Sequence, residues 1–121
     1  MVGKLKAMGR WGGGIGGTIG WLASKHALAV IDTQFPPTAA ACLQGLPGRG
    51  DRMIDVVLNT HHHGDHTSGN GVFRAAAKSI VAQENVPRLQ LAATDRAGSD
   101  EAPVVADETF AKSWRRELGD E

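Results

Sequence analysis

The residues able to do chemistry lie in one short run, His61-His62-His63-Gly64-Asp65-His66. Imidazole and carboxylate groups are preferred zinc ligands, in four-coordinate sites with Zn–N distances of about 2.0–2.1 Å. Side chains alternate along extended backbone, so His61 and His63 point the same way and His62 points away. His61 and His63 are therefore placed to grip one metal, and His62 reads as structural. Gly64 permits a turn with positive φ, which swings Asp65 and His66 round to a second metal. Two such ions about 3.5–4 Å apart bridge and activate a water as hydroxide at neutral pH. A tag-like histidine run would be longer, terminal and not interrupted by Gly-Asp.

The elements that must position this run can be read on either side of it. Ile54-Asp55-Val56-Val57-Leu58-Asn59 is rich in β-branched residues and reads as a strand that ends at the histidines. Sites in open α/β sheets favour the carboxyl ends of strands. Thr67 or Ser68 is placed to cap a helix through Ala77, with Val72, Phe73 and Ala76 on its inner face. Upstream, Thr18-Ile19-Gly20-Trp21-Leu22-Ala23 and Ala27-Leu28-Ala29-Val30-Ile31 read as two strands. The second is a continuous apolar run, as expected of a strand buried on both faces, and it stops at Asp32. Asp32 reads either as a carboxylate that orients a ligand histidine from behind or as a simple loop residue; the first is preferred.

Thr38 is a good N-cap for a helix through about residue 46, after Phe35-Pro36-Pro37 breaks the chain. Residues 79–82 read as a short strand, Asn85 and Pro87 open a helix towards Leu91, and Pro103-Val104-Val105 reads as a further strand. The alternation implies an α/β layered fold. No repeat or linker divides the chain, so residues 1–121 are taken as one domain.

Composition excludes some partners. Thirteen basic residues balance thirteen acidic ones, which gives no support for a nucleic-acid partner. No stretch approaches the roughly 20 apolar residues of a membrane span, and no secretion signal is visible, so a cytoplasmic location is expected. Cys42 is the only cysteine; it sits in an apolar stretch and reads as a small buried hydrophobe rather than a nucleophile. Glycines crowd between Gly12 and Gly20 and imitate a phosphate-binding loop, but with no strand before them and no helix after. His26 reads as an isolated surface or core histidine.

The segment Asn59-Thr60-His61-His62-His63-Gly64-Asp65-His66-Thr67-Ser68-Gly69-Asn70 resembles the signature of the metallo-β-lactamase superfamily. Ala29-Val30-Ile31-Asp32-Thr33 looks like that family's strand ending in Asp, and residues 80–86 resemble the strand and helix start found after its signature. The similarity spans residues 12 to 91. It implies roughly one half of an αβ/βα sandwich, with His61 and His63 on a first zinc and Asp65 and His66 on a second. Asp65 would also orient the attacking hydroxide and so serve catalysis. Ser68 stands where the family often has Gly.

The same resemblance implies ligands that are missing here. Family members supply a further histidine to the first metal, a bridging aspartate, and a last histidine to the second. No histidine follows His66, and nothing around Asp95, Asp100 or Asp107 matches the bridge. The expectation is therefore the N-terminal part of a dizinc hydrolase that cleaves an ester, thioester or lactam-like bond in a small-molecule substrate. The alternatives are a non-catalytic zinc-binding fragment and a thioesterase of the hydroxyacylglutathione hydrolase kind. An uncovered apolar face would also invite self-association.

Overall fold

A computed structural model describes residues 4–9, 18–98 and 101–118. Ten elements run in chain order: β1 (Lys4–Gly9), β2 (Thr18–Ala23), β3 (Leu28–Ile31), α1 (Pro36–Gly45), β4 (Val56–Asn59), α2 (Gly64–Thr67), α3 (Asn70–Arg74), β5 (Ile80–Gln83), α4 (Asn85–Arg96) and β6 (Glu108–Phe110). The strands form a single sheet in sequence order, β1-β2-β3-β4-β5-β6. The β1/β2 and β2/β3 pairs are antiparallel, and β3 through β6 run parallel.

Three crossovers through helices connect the parallel strands. Because β–helix–β crossovers turn right-handed, strands added in sequence order keep their helices on one face. Burial agrees. Leu28, Val30, Val57, Ile80 and Ala82 pack with Ala39 and Cys42 of α1, Phe73 of α3 and Val86 of α4. The intervening strand residues Ala29, Val56 and Val81 turn to the opposite face. That face, expected to be bare, is packed against by Trp114 and Leu118 of the tail, together with Leu22, Leu58 and Phe110. The Trp114 indole N–H donates to Glu108 Oε2 at 2.6 Å, which ties the tail to β6.

Several boundaries differ from the sequence reading. α1 begins at Pro36 and not after Thr38, with Phe35 at the N-cap and no side-chain cap bond. Two prolines fit the first helical positions, where their missing N–H groups cost nothing. Ile54 lies outside β4, in an isolated bridge to Ala77. The helix expected to be capped by Thr67 or Ser68 and to run through Ala77 is only α3, Asn70–Arg74, while a separate short helix, α2, ends at Thr67. The Thr67 hydroxyl faces back to the carbonyls of His62 and His63 at 3.3 and 3.1 Å, so it closes α2 and does not cap a later helix.

The strand expected at residues 103–105 is absent, and β6 forms instead at Glu108–Phe110. Val104 lends its carbonyl to the Asn70 side chain at 2.9 Å, which holds that segment in the helical layer. The glycine cluster from 12 to 17 lies outside the described residues. A strand, β1, does precede it, contrary to expectation, but the next element among the described residues is the strand β2 and not the helix a phosphate loop requires. No helix among the described residues is long and apolar enough to cross a membrane.

Candidate metal centre

β3 and β4 are parallel neighbours, so their carboxyl ends lie side by side, and both chain segments that form the site leave from there. The β3 segment turns sharply. Asp32 and Gln34 both have positive φ, 62° and 51°, a conformation that costs a non-glycine residue about 1–2 kcal/mol. Backbone hydrogen bonds offset that strain: Asp32 N–H to Leu58 O at 2.7 Å, Thr33 N–H to His66 O at 2.9 Å and Gly69 N–H to Gln34 O at 2.7 Å. The turn aims the Asp32 side chain across the sheet end and under the histidines.

Asp32 is 4% exposed and fully engaged. Its Oδ1 accepts the Thr60 N–H at 2.8 Å, and its Oδ2 accepts the Thr60 hydroxyl at 2.7 Å. The same Oδ2 lies 2.8 Å from His66 Nδ1. A carboxylate can only accept there, so His66 carries its proton on Nδ1 and presents Nε2 outward. Of the two sequence readings of Asp32, the orienting carboxylate fits this geometry and the simple loop residue does not.

The β4 segment supplies the remaining groups. Gly64 does not adopt the expected positive φ; it starts α2, and the left-handed residues lie on the other loop, at Asp32 and Gln34. The turn of α2 brings Asp65 round, and Asp65 Oδ2 lies 3.4 Å from His66 Nε2. The rings of His61 and His63 are 4.9 Å apart, and those of His61 and His66 are 4.0 Å apart. Two sets of potential ligand atoms lie within 4.8 Å of one another: Asp32, His61 and His66, and His61, His63 and Asp65. Each of the four sequence-predicted residues falls in one set or the other, but Asp65 groups with His61 and His63, and His66 with His61 and Asp32, where Asp65 and His66 were expected to share a metal.

His62 belongs to neither set, as the alternation of side chains implied; its ring sits 4.6 Å from that of His63. Its pKa is held below the ordinary imidazole value, first by desolvation and then by His63, His61 and Arg96. Asp107 is occupied elsewhere, accepting the Ile80 N–H at 2.7 Å and pairing with Arg74 at 3.2 Å. A cavity of about 520 Å³ lies beside the loop, lined by His62, Gly64, Gln90, Thr94 and Val104 among others, and by none of the four predicted ligands. The cluster thus sits on an open rim next to that cavity.

A buried polar brace beneath the rim carried no role in the sequence reading. Asn59 and Asn70 exchange side-chain amide bonds at 3.0 and 2.8 Å, and the Thr33 hydroxyl donates to Asn70 Oδ1 at 2.9 Å. Their only sequence signal was their place in the segments that carry the resemblance, Asn59 and Asn70 at the two ends of one and Thr33 after Asp32 in the other. Gly69 is a fourth member. A Cβ there would lie 2.2 Å from Thr33 O and 2.7 Å from Ala39 Cβ, so the close approach of the two segments requires glycine.

The sequence model of the metallo-beta-lactamase superfamily matches residues 12–110. The chain belongs to the metallo-β-lactamase superfamily. A relative similar to it is the hydroxyacylglutathione hydrolase of Methylococcus capsulatus, 38% identical in an 88-residue alignment that covers 65% of this chain and 33% of the relative. Another is the hydroxyacylglutathione hydrolase of Cereibacter sphaeroides, 33% identical over 69% of this chain and 34% of the relative. This metallo-β-lactamase-fold chain spans about a third of the length of those relatives. Among solved structures, a subclass B3 metallo-beta-lactamase of Bradyrhizobium japonicum superposes with a TM-score of 0.66 and 26% identity, covering 85% of this chain and 42% of the other. A second subclass B3 metallo-beta-lactamase, from a soil metagenome, gives 0.68 at 19% identity, covering 98% and 47%.

Proposed function

We propose that this chain forms the metal-ligating half of a metal-dependent hydrolase acting on thioester or related ester-like bonds. The observation that carries the reading is the convergence of His61, His63, Asp65 and His66 on one sheet-end rim, with His61 common to both candidate ligand sets. The donor set fits a borderline-soft divalent ion such as zinc, for which imidazole and carboxylate are ordinary ligands. His61 and His63 would hold one ion, and Asp65 and His66 a second. Bound there, the ions would supply water activation near neutral pH and polarisation of the scissile carbonyl.

The residues of this chain contribute orientation and proton handling. Asp32 fixes the His66 ring from behind. Asp65 Oδ2 lies 3.4 Å from His66 Nε2 on the exposed side of the cluster, where its carboxylate would orient a water at the rim. The neighbouring cavity is large enough for the acyl or leaving portion of a small substrate. The names of the two curated relatives favour a thioester over a β-lactam.

The test loads the purified chain with zinc and follows hydrolysis of a hydroxyacylglutathione thioester and of nitrocefin. The His61→Ala, His63→Ala double variant is measured in parallel. Thioester turnover that disappears in the variant supports the reading. Stoichiometric zinc binding with equal rates in both proteins assigns the chain as a non-catalytic zinc-binding segment instead.

A further inference from the structure

Thr60 precedes the ligand run and has no assigned role, yet its hydroxyl lies between two groups of the centre. It is 2.7 Å from Asp32 Oδ2 and 2.9 Å from His61 Nδ1. A hydroxyl has one proton to give. Asp32 is buried and, as a carboxylate, only accepts, so the Thr60 proton is committed to Asp32. The Thr60 oxygen is then an acceptor toward His61, and His61 Nδ1 must donate. That places the His61 proton on Nδ1 and leaves the Nε2 lone pair free.

His66 reaches the same tautomer by bonding Asp32 directly. One buried carboxylate therefore sets both histidines, His66 at first hand and His61 through the threonine. We propose that Thr60 is a positioning residue that locks His61 in the Nδ1–H tautomer, which leaves Nε2 as the nitrogen with a lone pair to offer a metal. The inference rests on the metal-centre reading for its purpose, but the tautomer itself is a property of the metal-free chain. Valine at this position keeps the shape and removes the relay, whereas serine keeps the hydroxyl.

Long-range 1H–15N correlation spectra of the zinc-free full chain at pH 8 test the proposal without any variant. His61 and His66 should both appear protonated at Nδ1. In Thr60→Val, His61 should relax to the ordinary solution mixture of tautomers while His66 stays unchanged, and Thr60→Ser should restore His61. Zinc affinity, measured by chelator competition, should fall about tenfold in Thr60→Val, the low end for loss of a group behind a metal ligand, and recover in Thr60→Ser. A wild-type His61 protonated at Nε2 overturns the proposal, as does a Thr60→Val spectrum with His61 unmoved. Should Thr60→Val fail to fold, the wild-type spectrum decides alone. A wild type with both tautomers as stated but no zinc binding upholds the relay and refutes the metal reading.

Discussion

Two glycines two residues apart should respond oppositely to alanine, and the difference tests how the site is held together. At Gly69 an added Cβ meets Thr33 O at 2.2 Å and Ala39 Cβ at 2.7 Å. Neither neighbour is the free end of a side chain. The first is a backbone carbonyl on the turn that carries Asp32, and the second lies on α1 in the core. Ordinary carbon contacts are about 3.5–4.0 Å, so the two segments must separate by more than an ångström. Such overpacking costs about 1–3 kcal/mol, and the backbone clash puts Gly69→Ala at roughly the upper end, about 3 kcal/mol.

At Gly71 the nearest atom is Val104 Cγ2 at 3.5 Å, an ordinary contact, and the residue lies inside α3. Gly71→Ala should therefore stabilise by about 0.5 kcal/mol through lost unfolded-state freedom. Urea unfolding of the two variants and wild type, with unchanged m-values, gives both numbers. Gly69→Ala should also weaken zinc binding, because the displaced turn carries the carboxylate behind His66. A Gly69→Ala protein about as stable as wild type, within roughly 0.5 kcal/mol, would falsify the close-approach argument, as would equal destabilisation by the two alanines.

Other consequences arise from single contacts. Phe73→Ala empties the largest fully buried side chain among the described residues and should cost about 3–5 kcal/mol, read as a lower denaturation midpoint. His61→Ala should weaken zinc binding at the position it shares with His63, whereas His62→Ala, which belongs to neither set, should leave the stoichiometry intact in a calorimetric titration. Cys42 is buried and its thiol is pushed up to about 11 by desolvation, so alkylation at pH 8 should be very slow in the folded chain and fast in denaturant. Glu108 is held below its ordinary value of 4.5, first by the Trp114 indole bond and then by Arg116. Its contribution is therefore complete above that value and lost as pH falls through the depressed one. The Trp114 indole resonance should stay native at pH 5 and shift in stronger acid, whereas Glu108→Gln should show the shifted resonance already at pH 5.

The sequence by itself determined the candidate metal-binding run and the strands around it, because both are local. Imidazoles and a carboxylate spaced within six residues need only a turn to converge, and unbroken apolar runs such as Val56-Val57-Leu58 have few alternatives to a buried strand. Local patterning also misled where two signals competed. Thr38 looked like a cap although Pro36 and Pro37 had already started the helix, and Val104-Val105 looked like a strand although the Asn70 amide claims the Val104 carbonyl. Tertiary structure alone decided what stands behind the histidines. Asp32 lies 34 residues from His66 and Thr33 lies 37 from Asn70, and only the parallel pairing of β3 with β4 makes them neighbours. The positive φ of Asp32, the glycine required at 69 and the proton relay through Thr60 all arise from that pairing. Each depends on where a distant backbone runs, which no window of neighbouring residues encodes.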